Sequence, residues 1–139
     1  MPSSKVSHAA KFPVTAEEAW RTIGSFNGVP KWHPAVVSST LENDGQIRRL
    51  QLLGGGEVVE QLEKHDDKSF TYTYSIVDSP MPVANYSSTI RVTDDGEGGC
   101  KVDWSGEFDP TIDAVKTAED VVMGIYTTGL DNFKKMLGG

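Results

Sequence analysis

The stretch TIDAVKTAEDVVMGIYTTGLDNFKKML, from Thr111 to Leu137, decides the fold. Its apolar residues fall at Ile112, Val115, Ala118, Val122, Ile125, Tyr126, Leu130, Phe133 and Leu137. Steps of three and four are the period of an amphipathic helix with one apolar stripe. Asp113, Glu119 and Asp120 sit toward its start and Lys134 and Lys135 toward its end, the distribution a helix dipole favours. Asp109-Pro110 and Thr117 with Asp120 offer alternative N-terminal caps, and Gly138-Gly139 closes the far end. At about 1.5 Å per residue the helix reaches roughly 30 to 40 Å, enough to cross a small domain. A stripe that long needs a partner surface, which the preceding strands must supply.

A chain of 139 residues is most simply one domain, 1–139. It buries roughly two-thirds of its unfolded surface, so its core needs no covalent staple. The net charge of −7 argues against phosphate backbones and anionic membranes as partners. No run approaches the ~18 apolar residues of a membrane span. The N-terminal Met-Pro-Ser-Ser-Lys has no hydrophobic secretion-signal core. The single Cys100 excludes an internal disulfide and suits a reducing compartment. The expectation is a cytoplasmic monomer or homodimer with no nucleic-acid partner and no membrane insertion.

Working back from the helix, Val6–Phe12 reads as a first strand ended by Pro13. Thr15-Ala16-Glu17-Glu18 is a capping-box pattern opening a short helix through Ala19, Trp20 and Ile23. Residues 24–34 mix turn formers with aromatics, a tight and partly helical connection whose rings pack on the core. Six strands follow, at about 35–42, 46–53, 57–65, 69–77, 84–93 and 100–108. The breaks are Asn43-Asp44-Gly45, Gly54-Gly55-Gly56, Asp66-Asp67-Lys68, Ser79-Pro80-Met81-Pro82 and the Asp94–Gly99 run. Links this short join antiparallel neighbours. The fold class is therefore α+β: a seven-stranded antiparallel sheet curled around a long C-terminal helix, with short helices after the first strand.

Alternation assigns the faces. Phe70, Tyr72, Tyr74 and Ile76 share the inner face with Tyr86, Ser88, Ile90, Val92, Val102, Trp104 and Phe108. The same parity brings two charges inward: Arg48, in line with Leu50 and Leu52, and Glu60, between Val58 and Leu62. A charge on an apolar face costs several kcal/mol unless paired or hydrated. Their strands are joined by a short Gly turn, so the two side chains are placed to meet inside. Such a carboxylate is pushed up by burial and pulled down by the arginine, and the balance sets whether it can shuttle a proton.

This order of elements resembles the helix-grip fold of the START/birch-pollen-allergen (SRPBCC) superfamily. Val58-Val59-Glu60-Gln61-Leu62-Glu63, Ser79–Tyr86 and Tyr126–Phe133 look like its polyketide cyclase/dehydrase-type members. They are also similar to plant abscisic-acid receptors and lachrymatory-factor synthase. The resemblance implies an internal, mostly apolar cavity for a small hydrophobic ligand. By position it implies that Glu60 is the cavity glutamate and Arg48 its partner, the catalytic candidates. It implies that Tyr86 contacts ligand, that Tyr74 and Ile76 are wall residues, and that Val122 and Tyr126 close the floor. Gly54-Gly55-Gly56 stands where the receptors carry a longer gate, and Met81-Pro82-Val83 where they carry a latch. The shorter gate and the missing cavity lysine, near His33 and Ala35, count against a hormone receptor.

Tyr72, Ser88 and Trp104 complete the ligand-binding candidates, and the hydroxyls of Tyr72, Tyr74, Tyr86 and Tyr126 can orient a polar ligand atom. His33, between Trp32 and Pro34, is a candidate for the cavity mouth, whereas His65 beside Asp66 reads as exposed. The three histidines have no metal spacing, so no metal and no cofactor is expected. Cys100 lacks a His or Asn framework and reads as packing. The leading function is small-ligand binding with proton-transfer chemistry of the cyclase, dehydratase or isomerase type. The alternative is a non-catalytic carrier or sensor of a lipid, polyketide or hydrophobic metabolite. A protein-interaction module with an incidental cavity is a third reading.

Overall fold

The structure, a computed structural model, describes residues 4–138. The strands are β1 (Ser4–Phe12), β2 (Val36–Glu42), β3 (Ile47–Leu52), β4 (Glu57–Asp66), β5 (Thr71–Asp78), β6 (Val83–Asp94) and β7 (Cys100–Pro110). They form one seven-stranded sheet in the order β1-β7-β6-β5-β4-β3-β2. Every neighbouring pair is antiparallel, as the short turns require of the five consecutive pairs from β2 to β7. The helices are α1 (Ala16–Ile23) and α2 (Val115–Met136), with a 3-10 turn over Val29–Lys31 between α1 and β2. This is the helix-grip arrangement: a long terminal helix lying in the concave face of an antiparallel sheet.

Helix α2 buries Ala118, Val122, Tyr126, Gly129, Leu130 and Phe133, one stripe along its length. Its start differs from the sequence expectation. Ala114 occupies the N-cap and makes no side-chain hydrogen bond, so neither candidate cap is used. Asp109 instead accepts a hydrogen bond from Asn85 Nδ2 at 2.9 Å, a sheet contact that removes it from the helix. The first turn of α2 carries no acid, and Ile112 lies before it, exposed. At α1 the cap is as expected, with Glu18 N donating to Thr15 Oγ1 at 3.2 Å.

Alternation holds where pairing is regular and changes at bulges. Tyr72, Tyr74, Tyr86, Ser88, Ile90, Val92, Val102, Trp104 and Phe108 are all buried on the inner face. Between Leu62 and Lys64 the β4–β5 register shifts by one residue at Glu63, so the C-terminal part of β4 reverses its faces. His65 is thereby paired with Tyr72 and stacks on its ring, centroids 5.9 Å apart. It keeps an exposed edge, and its Nε2 donates to the Gly24 carbonyl at 2.7 Å.

The core is in two parts. The larger cluster joins α2, β1, β5–β7 and the rings of Trp20, Phe26 and Trp32. The smaller comprises Val29, Val36, Leu50 and Val58, with Leu52 and Ile76 against it. Cys100 is fully buried in the larger cluster, and burial pushes its thiol up to about 11, an inert packing residue.

Candidate ligand pocket

Between the two clusters lies a pocket of about 260 Å³. Val29, Val36, Leu50 and Val58 wall one side, and Tyr72, Tyr74, Trp104 and Trp32 the other. Ile125 and Val121 of α2, Leu53 and Gly55 of the β3–β4 turn, and Met81 also line it. Leu53 is 71% exposed and Val121 38% exposed, which places the mouth on their side. Gly54, Gly55 and Gly56 all have positive φ, a backbone path that residues with a Cβ rarely adopt.

Arg48 and Glu60 face each other across the β3–β4 pair, as their parity and the short turn between their strands foretell. Arg48 Nε donates to Glu60 Oε1 at 2.7 Å, and both line the pocket. The guanidinium has further partners that no strand pattern could reveal. Its Nη1 donates to the Phe26 carbonyl at 2.7 Å and, at 3.4 Å, to the Tyr72 hydroxyl. Its carbon lies 4.2 Å from the Phe26 ring centre and 4.8 Å from that of Tyr74, in cation–π contact. Burial is the largest single influence and works against the Arg48 charge, but Glu60, Tyr72 and Tyr74 together more than restore it and the guanidinium stays protonated. For Glu60 burial is the larger influence and lifts the carboxyl above its ordinary value, with Arg48 pulling it back. Glu60 Oε2 takes no hydrogen bond among the described residues and is not sealed off.

His33 also lines the pocket, 2% exposed. Its Nδ1 accepts from Ala35 N at 3.2 Å and its Nε2 meets the Ile125 carbonyl at 2.8 Å. A carbonyl only accepts, so Nε2 carries the proton and the ring is neutral. Burial accordingly lowers the His33 pKa. Asn132 Nδ2 donates to the Trp32 carbonyl at 2.9 Å, so residues 32 and 33 are tied to α2 twice. Gly129 makes this approach possible: a Cβ there would lie 2.6 Å from His33 Cδ2 and 2.9 Å from Trp32 Cζ3. Trp32 Nε1 is buried without an acceptor among the described residues, sealed by its neighbours.

Of the candidates read from the sequence, Arg48, Glu60, Tyr72, Tyr74 and Trp104 border this pocket. Tyr86, the expected ligand contact, Ser88, Ile76 of the expected wall, and Val122 and Tyr126 of the expected floor are not among the residues that line it. The Tyr86 and Tyr126 hydroxyls bond each other at 2.5 Å, and Ser88 Oγ lies 3.1 Å from the Tyr126 hydroxyl while donating to the Ser105 carbonyl. Their polar atoms are consumed by a buried cluster behind Trp104. Val122 is fully buried in the larger core, and Ile76 packs at the border of the two clusters. Trp104 connects the cluster to the pocket, its Nε1 donating to Ser88 Oγ at 3.1 Å and to the Tyr74 hydroxyl at 3.2 Å. Burial raises the Tyr74 and Tyr86 pKa values well above the ordinary phenol and pushes that of Tyr126 up to about 12, so all three are neutral.

A grip of sheet around helix with an apolar pocket holding one buried ion pair defines a class of small-molecule-binding folds. The chain belongs to the polyketide cyclase / dehydrase and lipid transport family, whose model matches residues 3–138. It is similar to protein XoxI of Bacillus cereus, with 36% identity over 96% of this chain and 95% of that one and a TM-score of 0.94. A carrot (Daucus carota) isoallergen, Dau c 1.0401, is 27% identical over 104 residues, 67% of each chain. Norcoclaurine synthase from Thalictrum flavum shares the fold, with a TM-score of 0.76 at 18% identity over 98% of this chain and 87% of that one. No helix among the described residues is long and apolar enough to cross a membrane.

Proposed function

We propose that the pocket binds a small, mostly apolar molecule bearing a polar oxygen, and that Glu60 and Arg48 act on it by proton transfer. The reaction is of the cyclase, dehydratase or isomerase type: Glu60 takes and returns the proton while Arg48 polarises the oxygen. The observation that carries this reading is the carboxylate oxygen left unbonded at an otherwise apolar wall. Burial moves its carboxyl toward the range in which a general base works near neutral pH. His33 is no rival base, because both its ring nitrogens are already bonded. The pocket lies near the lower end of the ~300–1,000 Å³ usual for such sites, which favours a compact ligand. A reducing, cytoplasmic setting belongs to the same reading and rests on the lone Cys100.

A second reading, a carrier or sensor that returns its ligand unchanged, is favoured by Arg48 itself. Its Nη1 bond to the Phe26 carbonyl clamps the connection after α1, as a structural residue would. Native mass spectrometry of the purified protein, followed by analysis of the released molecule before and after incubation, separates the readings. A bound molecule that wild type converts and E60Q holds unchanged supports catalysis. Recovery of the intact molecule from wild type supports the carrier. A protein that emerges at its bare mass and takes up no apolar probe sinks both.

A further inference from the structure

The pocket's hydrogen-bonding groups can be sorted by what each still has to offer. Trp32 Nε1 is sealed, both nitrogens of His33 are engaged, and Tyr86, Ser88 and Tyr126 satisfy one another behind the wall. Arg48 Nε and Nη1 are committed to Glu60 and to the Phe26 carbonyl. Two phenols remain. The Tyr72 hydroxyl meets Arg48 Nη1 only at 3.4 Å, beyond the normal range, so its orientation is weakly fixed.

Tyr74 is different. Its oxygen shares the single Trp104 Nε1 proton with Ser88 Oγ in a three-centre bond, and an indole N–H can only donate. A phenolic O–H lies near the ring plane and has two positions, one to either side of the C–O bond. The position facing Trp104 is closed by the incoming N–H, so the Tyr74 proton must point the other way. Trp104 stands on β7, and the sheet order places β4 and β3 on the opposite side of β5 from it. The Tyr74 O–H is therefore aimed at the Glu60–Arg48 side of the pocket, and it has no acceptor among the described residues. Trp104 is itself held by Ser88 and by stacking on Tyr126, centroids 4.5 Å apart, so the donor is set before any ligand arrives.

We infer that Tyr74 is the specificity-determining donor of the pocket, binding the acceptor oxygen of a carbonyl-class ligand, with Trp104 as its positioning residue. This rests on the pocket being a ligand site and adds which chemical group the ligand must carry. A ketone or aldehyde oxygen accepts the Tyr74 proton and lies beside the guanidinium; a hydrocarbon of the same shape leaves that donor unpaired.

The test is a matched pair of probes, 2-acetonaphthone and 2-isopropenylnaphthalene, alike in shape but differing by a carbonyl oxygen against a CH2. Their affinities for wild type and Y74F are measured by equilibrium dialysis. Y74F is expected to weaken ketone binding about 10-fold, the effect of one buried hydrogen bond, and to leave alkene binding within about twofold. Retention of alkene binding by Y74F shows that its pocket is intact. An unchanged ratio in Y74F, or equal loss of both probes, overturns the role of Tyr74 while leaving the pocket reading standing. Binding of neither probe to wild type overturns the pocket reading, and this inference with it.

Discussion

Two glycines five residues apart on α2 should respond to the same substitution with opposite signs. In G129A the new Cβ would lie 2.6 Å from His33 Cδ2 and 2.9 Å from Trp32 Cζ3. Carbon contacts relax near 3.5 Å, so about 0.9 Å and about 0.6 Å of overlap must be relieved. Neither ring moves freely: His33 is held at both nitrogens and Trp32 through its carbonyl, and both are buried. Overpacking costs about 1–3 kcal/mol, and parting His33 from the Ile125 carbonyl adds about 1–3 kcal/mol. Against this, alanine gains about 1 kcal/mol over glycine inside a helix. The net loss is about 1–5 kcal/mol, a drop of roughly 3–17 °C in Tm for a chain of this size. In G124A no atom lies within 4 Å of the new Cβ, so only the helical gain of about 0.5–1 kcal/mol remains. Urea unfolding of the two variants beside wild type checks both signs. A G129A protein as stable as wild type would refute the argument that residues 32 and 33 are pinned against the helix.

Other expected outcomes follow the same geometry. E60Q leaves the Arg48 charge buried without its counter-charge and should cost about 3 kcal/mol or more, whereas R48M/E60L should unfold within about 1–2 kcal/mol of wild type; a double-mutant cycle by denaturant titration reads the coupling. A Cβ at position 106 would run into the Tyr126 hydroxyl while lying 3.4 Å from Tyr126 Cζ. G106A should therefore destabilise, and Y126F should restore much of the loss in the double variant, measured as Tm. His33 titrates near 6.5 in the unfolded chain and lower in the folded one. The unfolded state thus binds the extra proton first, so His33 makes stability fall as pH drops below 6.5, until the folded pKa is reached. That contribution approaches about 1.4 kcal/mol per pH unit, and H33N should abolish it in unfolding curves at pH 5 to 7.5.

What the sequence discloses about the site depends on how local the cause is. The inward aim of Arg48 and Glu60 follows from parity with Leu50, Leu52, Val58 and Leu62, a two-residue repeat that needs no knowledge of the rest. The stripe of α2 is legible for the same reason at its own period. Its start is not: Asp109 has the chemistry of a cap, but an Asn85 amide across the sheet competes for it and wins. The reversal of β4 at Glu63 leaves no composition signal, because any residue can occupy such a bulge. Tyr86 and Tyr126 look like ligand-facing phenols until their hydroxyls are seen to satisfy each other, a contact across 40 residues. The clamp on Arg48 is less visible still, since the Phe26 carbonyl belongs to the backbone and every residue has one.

The division of the core sets how the molecule must breathe. The patch of Val29, Val36, Leu50 and Val58 is secured by its own hairpin and by whatever fills the space in front of it, while the larger cluster is locked by α2. Backbone amides of β2 and β3 should accordingly trade hydrogen for deuterium sooner than those of β6 and β7, and an occupant of the gap should slow them selectively. Guest entry and fold opening then become one motion at one end, with the other end left rigid.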